Sequence, residues 1–135
     1  MLLSSDCICF FPPEIILFLV KCSGPSMEPT IQSNDLIIVE RLSPQLEQLH
    51  SGDIVVLRSP QNPLQHICKR ITGTAGDRIG TGVMEVKVPK GHVWLEGDNH
   101  DNSTDSWSYG PVPIALIHGR AFYKISPFGP FPPLV

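Results

Sequence analysis

Three short stretches carry side chains that could do chemistry together. The first is SGPSMEPT, Ser23 to Thr30, in which Ser26 lies between Pro25 and Pro29 just after the apolar run IILFLV. The second is HICKRITG, where Lys69 stands two residues from Ile67 and two from Ile71. The third is the polar run DNHDNSTDSWSY, which offers the hydroxyl of Ser103 and the carboxylate of Asp105. A serine hydroxyl becomes a nucleophile only when a base takes its proton. His50, His66, His92, His100 and His118 stand singly, outside any partner motif, so the base has to be another group. Lysine can serve if its neutral amine is populated. Its pKa must then fall from about 10.4 to near neutrality, at about 4 kcal/mol of differential solvation. Apolar neighbours supply that desolvation, so a strand that sets Lys69 between two isoleucines on an inward face suits a lysine base. Arg70 is expected to point to the opposite face. Bland readings stand beside these: Ser26 as a turn residue, and Lys69 as a strand lysine whose stem covers apolar surface.

The elements that must position these groups are short. In 135 residues, fourteen prolines and eleven glycines disfavour long helices and favour strands joined by turns. One domain with one packed core fits this length. Strands are predicted over Ile15–Val20 (buried), in DLIIVERL, IVVLRS and HICKRITG, in VMEVKVP and GHVWLEGDN, and near the end of GPVPIALIHGRAFYKI. In HICKRITG the period of two puts Ile67, Lys69 and Ile71 on one face and Cys68, Arg70 and Thr72 on the other. About seven strands, half a turn of helix after Ser26 and a long loop from Asp98 to Tyr109 result, the loop with only Trp107 and Tyr109 to bury. Asp53, Asp77, Gly76 and Gly97 read as turn formers.

Several function classes recede on composition. Net charge is −3 and the ten basic residues are scattered, so no nucleic-acid footprint is present. Cys7, Cys9, Cys22 and Cys68 have neither C-x-x-C spacing nor a zinc-finger histidine partner, and Cys68 reads as an inert half-buried thiol. The apolar stretch CICFFPPEIILFLV is cut by Pro12, Pro13 and Glu14, and its unbroken part falls short of the roughly 20 residues that span a bilayer. It also lacks the features of a secretory signal. Residues 1–14 are therefore expected to be an apolar lead-in, a remnant of a membrane anchor, ahead of a catalytic unit over 15–126 and a proline-rich tail over 127–135.

In their order, GPSMEPT, GDIVVL, ICKRITGTAGD and GDNHDNSTDSWSYG resemble the blocks of the type I signal peptidases, most closely those of the mitochondrial inner membrane. The resemblance covers roughly residues 20–125. It implies a mainly β fold, the signal-peptidase and LexA-like antiparallel arrangement with little helix, and no metal or cofactor. Position by position, it implies Ser26 as nucleophile and Lys69 as general base. Ser103 would be the hydroxyl that orients the amine, and Asp105 the carboxylate that braces that loop. Ser23, Gly24, Met27, Ile31 and Ile67 would wall a shallow substrate pocket, with Gly24 where some bacterial relatives carry a serine donor. The implied substrates are presequence-bearing precursors, cleaved on the intermembrane-space side of the inner membrane, and the implied partner is a homologous subunit. Trp107 departs from the pattern, standing where an arginine pairs with Asp105. A looser loop, or substitution by Arg70, is expected. That departure and the broken anchor keep an alternative open: a catalytically impaired isoform acting as a peptide-binding or assembly subunit.

Overall fold

A computed structural model describes residues 16–125. The expected lead-in and tail lie outside them. Among the described residues no helix is long and apolar enough to cross a membrane. The architecture is mainly β, as expected, and its main antiparallel sheet takes its strands from runs rich in β-branched residues. These are β1 (Leu17–Lys21), β2 (Leu36–Glu40), β3 (Ile54–Arg58), β4 (His66–Gly73), β7 (His92–Glu96), β8 (Val112–Pro113) and β9 (Ile117–Ile125), with spatial order β1-β2-β9-β3-β4-β7-β8. A separate ribbon pairs β5 (Arg78–Ile79) with β6 (Val86–Lys87), and a short helix, α1 (Leu42–Gln45), follows β2.

Packing follows from the side-chain period of two. In β3, Ile54 and Val56 join one apolar cluster with Val20, Met27, Ile31, Ile37 and Val39, while Val55 and Leu57 join a second with Ile71, Val93, Leu95 and Val112. The strand is thus covered on both sides, which is why its sequence is apolar without a break. Register breaks at Ile38/Val39, Val56/Leu57 and Ile71/Gly73 bend the strands and curl the sheet. β9 is the seam. It hydrogen-bonds to β2 along one edge and to β3 along the other, and so joins the ribbon that precedes it in sequence to the block of β3, β4, β7 and β8.

Three expectations are corrected. The strand expected over Ile15–Val20 runs from Leu17 to Lys21 on the sheet's edge and is only half-buried: Phe18 and Val20 face the core, Leu17 and Leu19 face outward, and Ile15 lies outside the described residues. The VMEVKVP segment is not one strand. A 3-10 turn at Gly82–Met84 leaves Val83 wholly exposed, and only Val86–Lys87 pair. The Asp98–Tyr109 loop contains a 3-10 turn at His100–Asn102 and a short helix, α2 (Ser106–Tyr109), which the local capping bond of Asp105 to the Trp107 N–H initiates. It buries Asp105 and Ser106 and packs Tyr109, as expected, against the second core cluster, while Trp107 stays 55% exposed with its ring edge-on to Trp94.

Candidate active site

Ser26 sits in the turn between β1 and β2. The Ile31 N–H donates to the Met27 carbonyl at 2.9 Å, one helical turn just after the serine, in line with the expected half-turn. Met27 and Ile31 are buried beneath it and fasten the turn to the core. Gly24 has φ +92°, a backbone state unfavourable for any residue with a Cβ, and its N–H donates to Ser33 Oγ. The bend that leads into Ser26 therefore disfavours a side-chain donor at position 24.

Lys69 is 4% exposed on β4, with Ile71 fully buried beyond it. Its Nζ donates to Ser103 Oγ at 2.9 Å. One cavity of about 160 Å³ is lined by Ser26 and Lys69 together, and also by Ser23, Gly24, Met27, Ile31 and Ile67. Every expected pocket residue thus meets the hydroxyl and the amine in one concavity. Cys22, Pro25, Gln65 and Cys68 complete its lining. The Ser23 hydroxyl is buried with no hydrogen-bond partner.

Two expected site residues are absent from this wall: Ser103, which is tied to it through Lys69 Nζ, and Asp105. Asp105 is 6% exposed and caps α2, two residues after Ser103. Arg70 does not take the place of the arginine missing at Trp107. Its Nε and Nη2 instead grip Asp98 at 2.9 and 2.8 Å, and its Nη1 donates to the Gly52 carbonyl. Asp98 also accepts from Thr30 Oγ1, so it ties the end of the Ser26 turn to β4. Burial alone would raise the Asp98 pKa, but the hydrogen bonds from Arg70 and Thr30 and the guanidinium charge outweigh it and hold the carboxyl below its usual range.

Sequence reasoning assigned no role to the residues that close the site. The Asn99 N–H donates to the Ser26 carbonyl at 2.9 Å, and Asn99 Nδ2 donates to the Pro25 carbonyl at 3.0 Å. Gly97 was expected as a turn former. Its importance is packing: a Cβ there would overlap Ser103 Oγ and stand 2.6 Å from the Ser26 carbonyl oxygen. The available signal was the Gly-Asp-Asn block itself, whose three residues each touch the Ser26 turn or its partners. Asp53 and Asp77 do cap turns, accepting from the His50 and Thr74 N–H groups.

The histidines do not all stand alone. His66 and His118 face each other with Nε2 atoms 3.2 Å apart. Burial, followed by the neighbouring His66 and the charges of Arg58 and Arg41, lowers the His118 pKa to about 4.

The family model described as signal peptidase, peptidase S26, matches residues 2–86 and 80–126. The chain is 50% identical over 131 residues to the mitochondrial inner membrane protease subunit 1 of Mus musculus, covering 93% of this chain and 79% of that protein. Over 120 residues it is 41% identical to subunit 2 of Danio rerio, covering 83% of this chain and 66% of that protein. A crystal structure of a signal peptidase I from Enterococcus faecalis aligns with a TM-score of 0.46 at 20% identity, over 53% of this chain and 95% of that one.

Proposed function

Because the chain belongs to the peptidase S26 signal peptidase family, we propose that it is an endopeptidase in which Ser26 is the nucleophile and Lys69 its general base. At the coarser level it is a protease of the signal-peptidase type, in the group of mitochondrial inner membrane proteases. The observation that carries the finer reading is the shared cavity: a lysine almost without solvent faces the same space as a serine held in a stiff turn.

The chemistry follows from that arrangement. A neutral Lys69 amine that donates one N–H to Ser103 Oγ keeps its lone pair for the Ser26 proton. Ser26 Oγ attacks the scissile carbonyl, and its proton passes to Lys69. The oxyanion is met by the Ser26 backbone N–H, a type of donor worth about 3 kcal/mol. Lys69 then returns the proton to the leaving amine, and the mature product departs. A water that gives its proton to Lys69 hydrolyses the ester and restores Ser26. Pro25, Pro29 and the two bonds from Asn99 fix the turn in advance, so little ordering entropy is lost at each turnover.

The substrates in this reading are presequences of proteins delivered to the intermembrane space, bound as extended strands along the cavity. Relatives named as subunits 1 and 2 support a homologous subunit as partner. A presequence peptide incubated with the purified chain tests the assignment. Product from the wild type that disappears in both Ser26→Ala and Lys69→Ala supports it. Peptide binding without product in the wild type would instead favour a peptide-binding or assembly subunit.

A further inference from the structure

We propose that Cys22 and Cys68 form a thiol switch in the wall of the candidate substrate cavity, closed to a disulfide by exchange with a low-molecular-weight disulfide. The cavity's use by substrate rests on the reading above; the thiol chemistry does not. Both residues carry thiols, line the cavity beside Ser26 and Lys69, and pack in the same apolar cluster. They come from strands that are not neighbours in the sheet. Cys22 follows β1 and is anchored through its backbone, its N–H donating to the Asp35 carbonyl and its carbonyl accepting from the Asn34 N–H. Cys68 lies in β4, next to Lys69.

Reactivity is the second element. The thiolate is the attacking species, and a nearby guanidinium favours it. Arg70 stands two residues from Cys68 in β4, on the same face by the strand's alternation. Cys68 is also the more exposed of the two, with Cys22 at 6%. The Cys68 thiolate therefore attacks one sulfur of the incoming disulfide. That bond breaks, one small thiol leaves with the proton Cys68 had lost, and a mixed disulfide remains in the cavity. Cys22, deprotonated in turn, attacks the Cys68 sulfur and releases the second small thiol. Two protein thiols are oxidised and one small disulfide is reduced to two thiols. A disulfide keeps its Cα atoms within about 7 Å, so joining these walls fixes and narrows the space between the Ser26 turn and β4.

The test uses the full chain in a Cys7→Ser, Cys9→Ser background, with oxidised glutathione as the probe. Mass spectrometry reads a Cys22–Cys68 cross-link, and cleavage of a presequence peptide is followed in parallel. The expected result is the cross-link with loss of cleavage, both reversed by dithiothreitol. In Cys22→Ser the glutathione adduct should persist on Cys68, and Cys68→Ser should resist inactivation, judged by the ratio of treated to untreated rate within each variant. Thiols that stay reduced in excess oxidised glutathione, a stable adduct on Cys68 in the parent with Cys22 still reduced, or a cross-link with unchanged cleavage would overturn the proposal. If no cleavage exists before oxidation, the protease reading has failed instead. Peptide binding then reports closure, and binding unaffected by the cross-link overturns the switch.

Discussion

Replacing Gly97 by alanine tests the idea that backbone contact at one point sets the distance between nucleophile and base. Gly97 has no special φ to protect, so any effect comes from the volume of one methyl group. Its added Cβ would stand 2.6 Å from the Ser26 carbonyl oxygen and 2.7 Å from Ser103 Cβ, where ordinary contact begins at 3.4 Å. The Ser26 turn and the Ser103 segment must separate by most of an ångström. Neither can move freely, because the Asn99 N–H holds the Ser26 carbonyl and Lys69 Nζ holds Ser103. Overpacking of this kind costs about 1–3 kcal/mol of stability. A displacement near 1 Å at reacting groups costs about 100-fold in rate. The expected outcome is therefore a kcat reduced by about 100-fold, a KM that changes far less, and a urea midpoint lowered modestly. Gly76→Ala is the control. Gly76 has φ +93° with nothing within 4 Å of its added Cβ, so strain there should lower stability by about 1–2 kcal/mol and leave kcat intact. A Gly97→Ala enzyme with wild-type kcat, measured well below its melting temperature, would refute the reasoning.

Other perturbations follow from the same geometry. Asp98→Asn removes the charge from a two-bond grip on Arg70 and should cost about 2 kcal/mol by urea denaturation. Its effect should fade as the parent's Asp98 is itself protonated, since a carboxyl with a lowered folded pKa contributes stability above its unfolded value and loses it as pH falls through the folded one. His118 acts in a higher window. With its folded pKa lowered to about 4, the unfolded chain binds the extra proton first, so stability drops as pH falls from about 6.5 to 4 and levels off below. Discounted for partial exposure, the loss is about 2 kcal/mol, and His118→Asn should flatten that part of a melting-temperature profile. Cleavage should rise with pH as Lys69 loses its proton; a profile flat from mildly acidic to alkaline pH would count against an amine base. Trp107→Ala removes one exposed edge-on ring contact and should cost no more than about 1.5 kcal/mol, read by thermal melting.

Much of the candidate site could be read from the sequence because its parts are local. The alternation in HICKRITG puts Lys69 beside Ile71 on a buried face, and proline spacing marks the Ser26 turn, so burial and stiffness are encoded within a few residues. The β-branched runs likewise give β2, β3 and β4. What the sequence hides is which distant residues meet. Nothing near Gly97 indicates that its missing side chain lets the Ser26 carbonyl and Ser103 converge, and nothing near Asp98 points to Thr30. His66 and His118 come together because β4 and β9 flank the same end of β3. The exposure of Leu17 and Leu19 was equally illegible, because an apolar run looks the same in a covered strand and at an open edge. For Asp105 the resemblance implied a brace, and its observed partner, the Trp107 N–H, follows from local capping.

The position of β9 has a consequence for when such a protein could become active. The turn with the serine and the strand with the lysine belong to halves of the sheet that are stitched together by the last strand described, Ile117–Ile125. During synthesis, both chemical groups are made long before the stretch that aligns them. A nascent chain halted ahead of Ile117 would lack the main-chain ladder that joins the two ribbons, leaving the links through Asp98 and Asn99 to align the serine with the lysine.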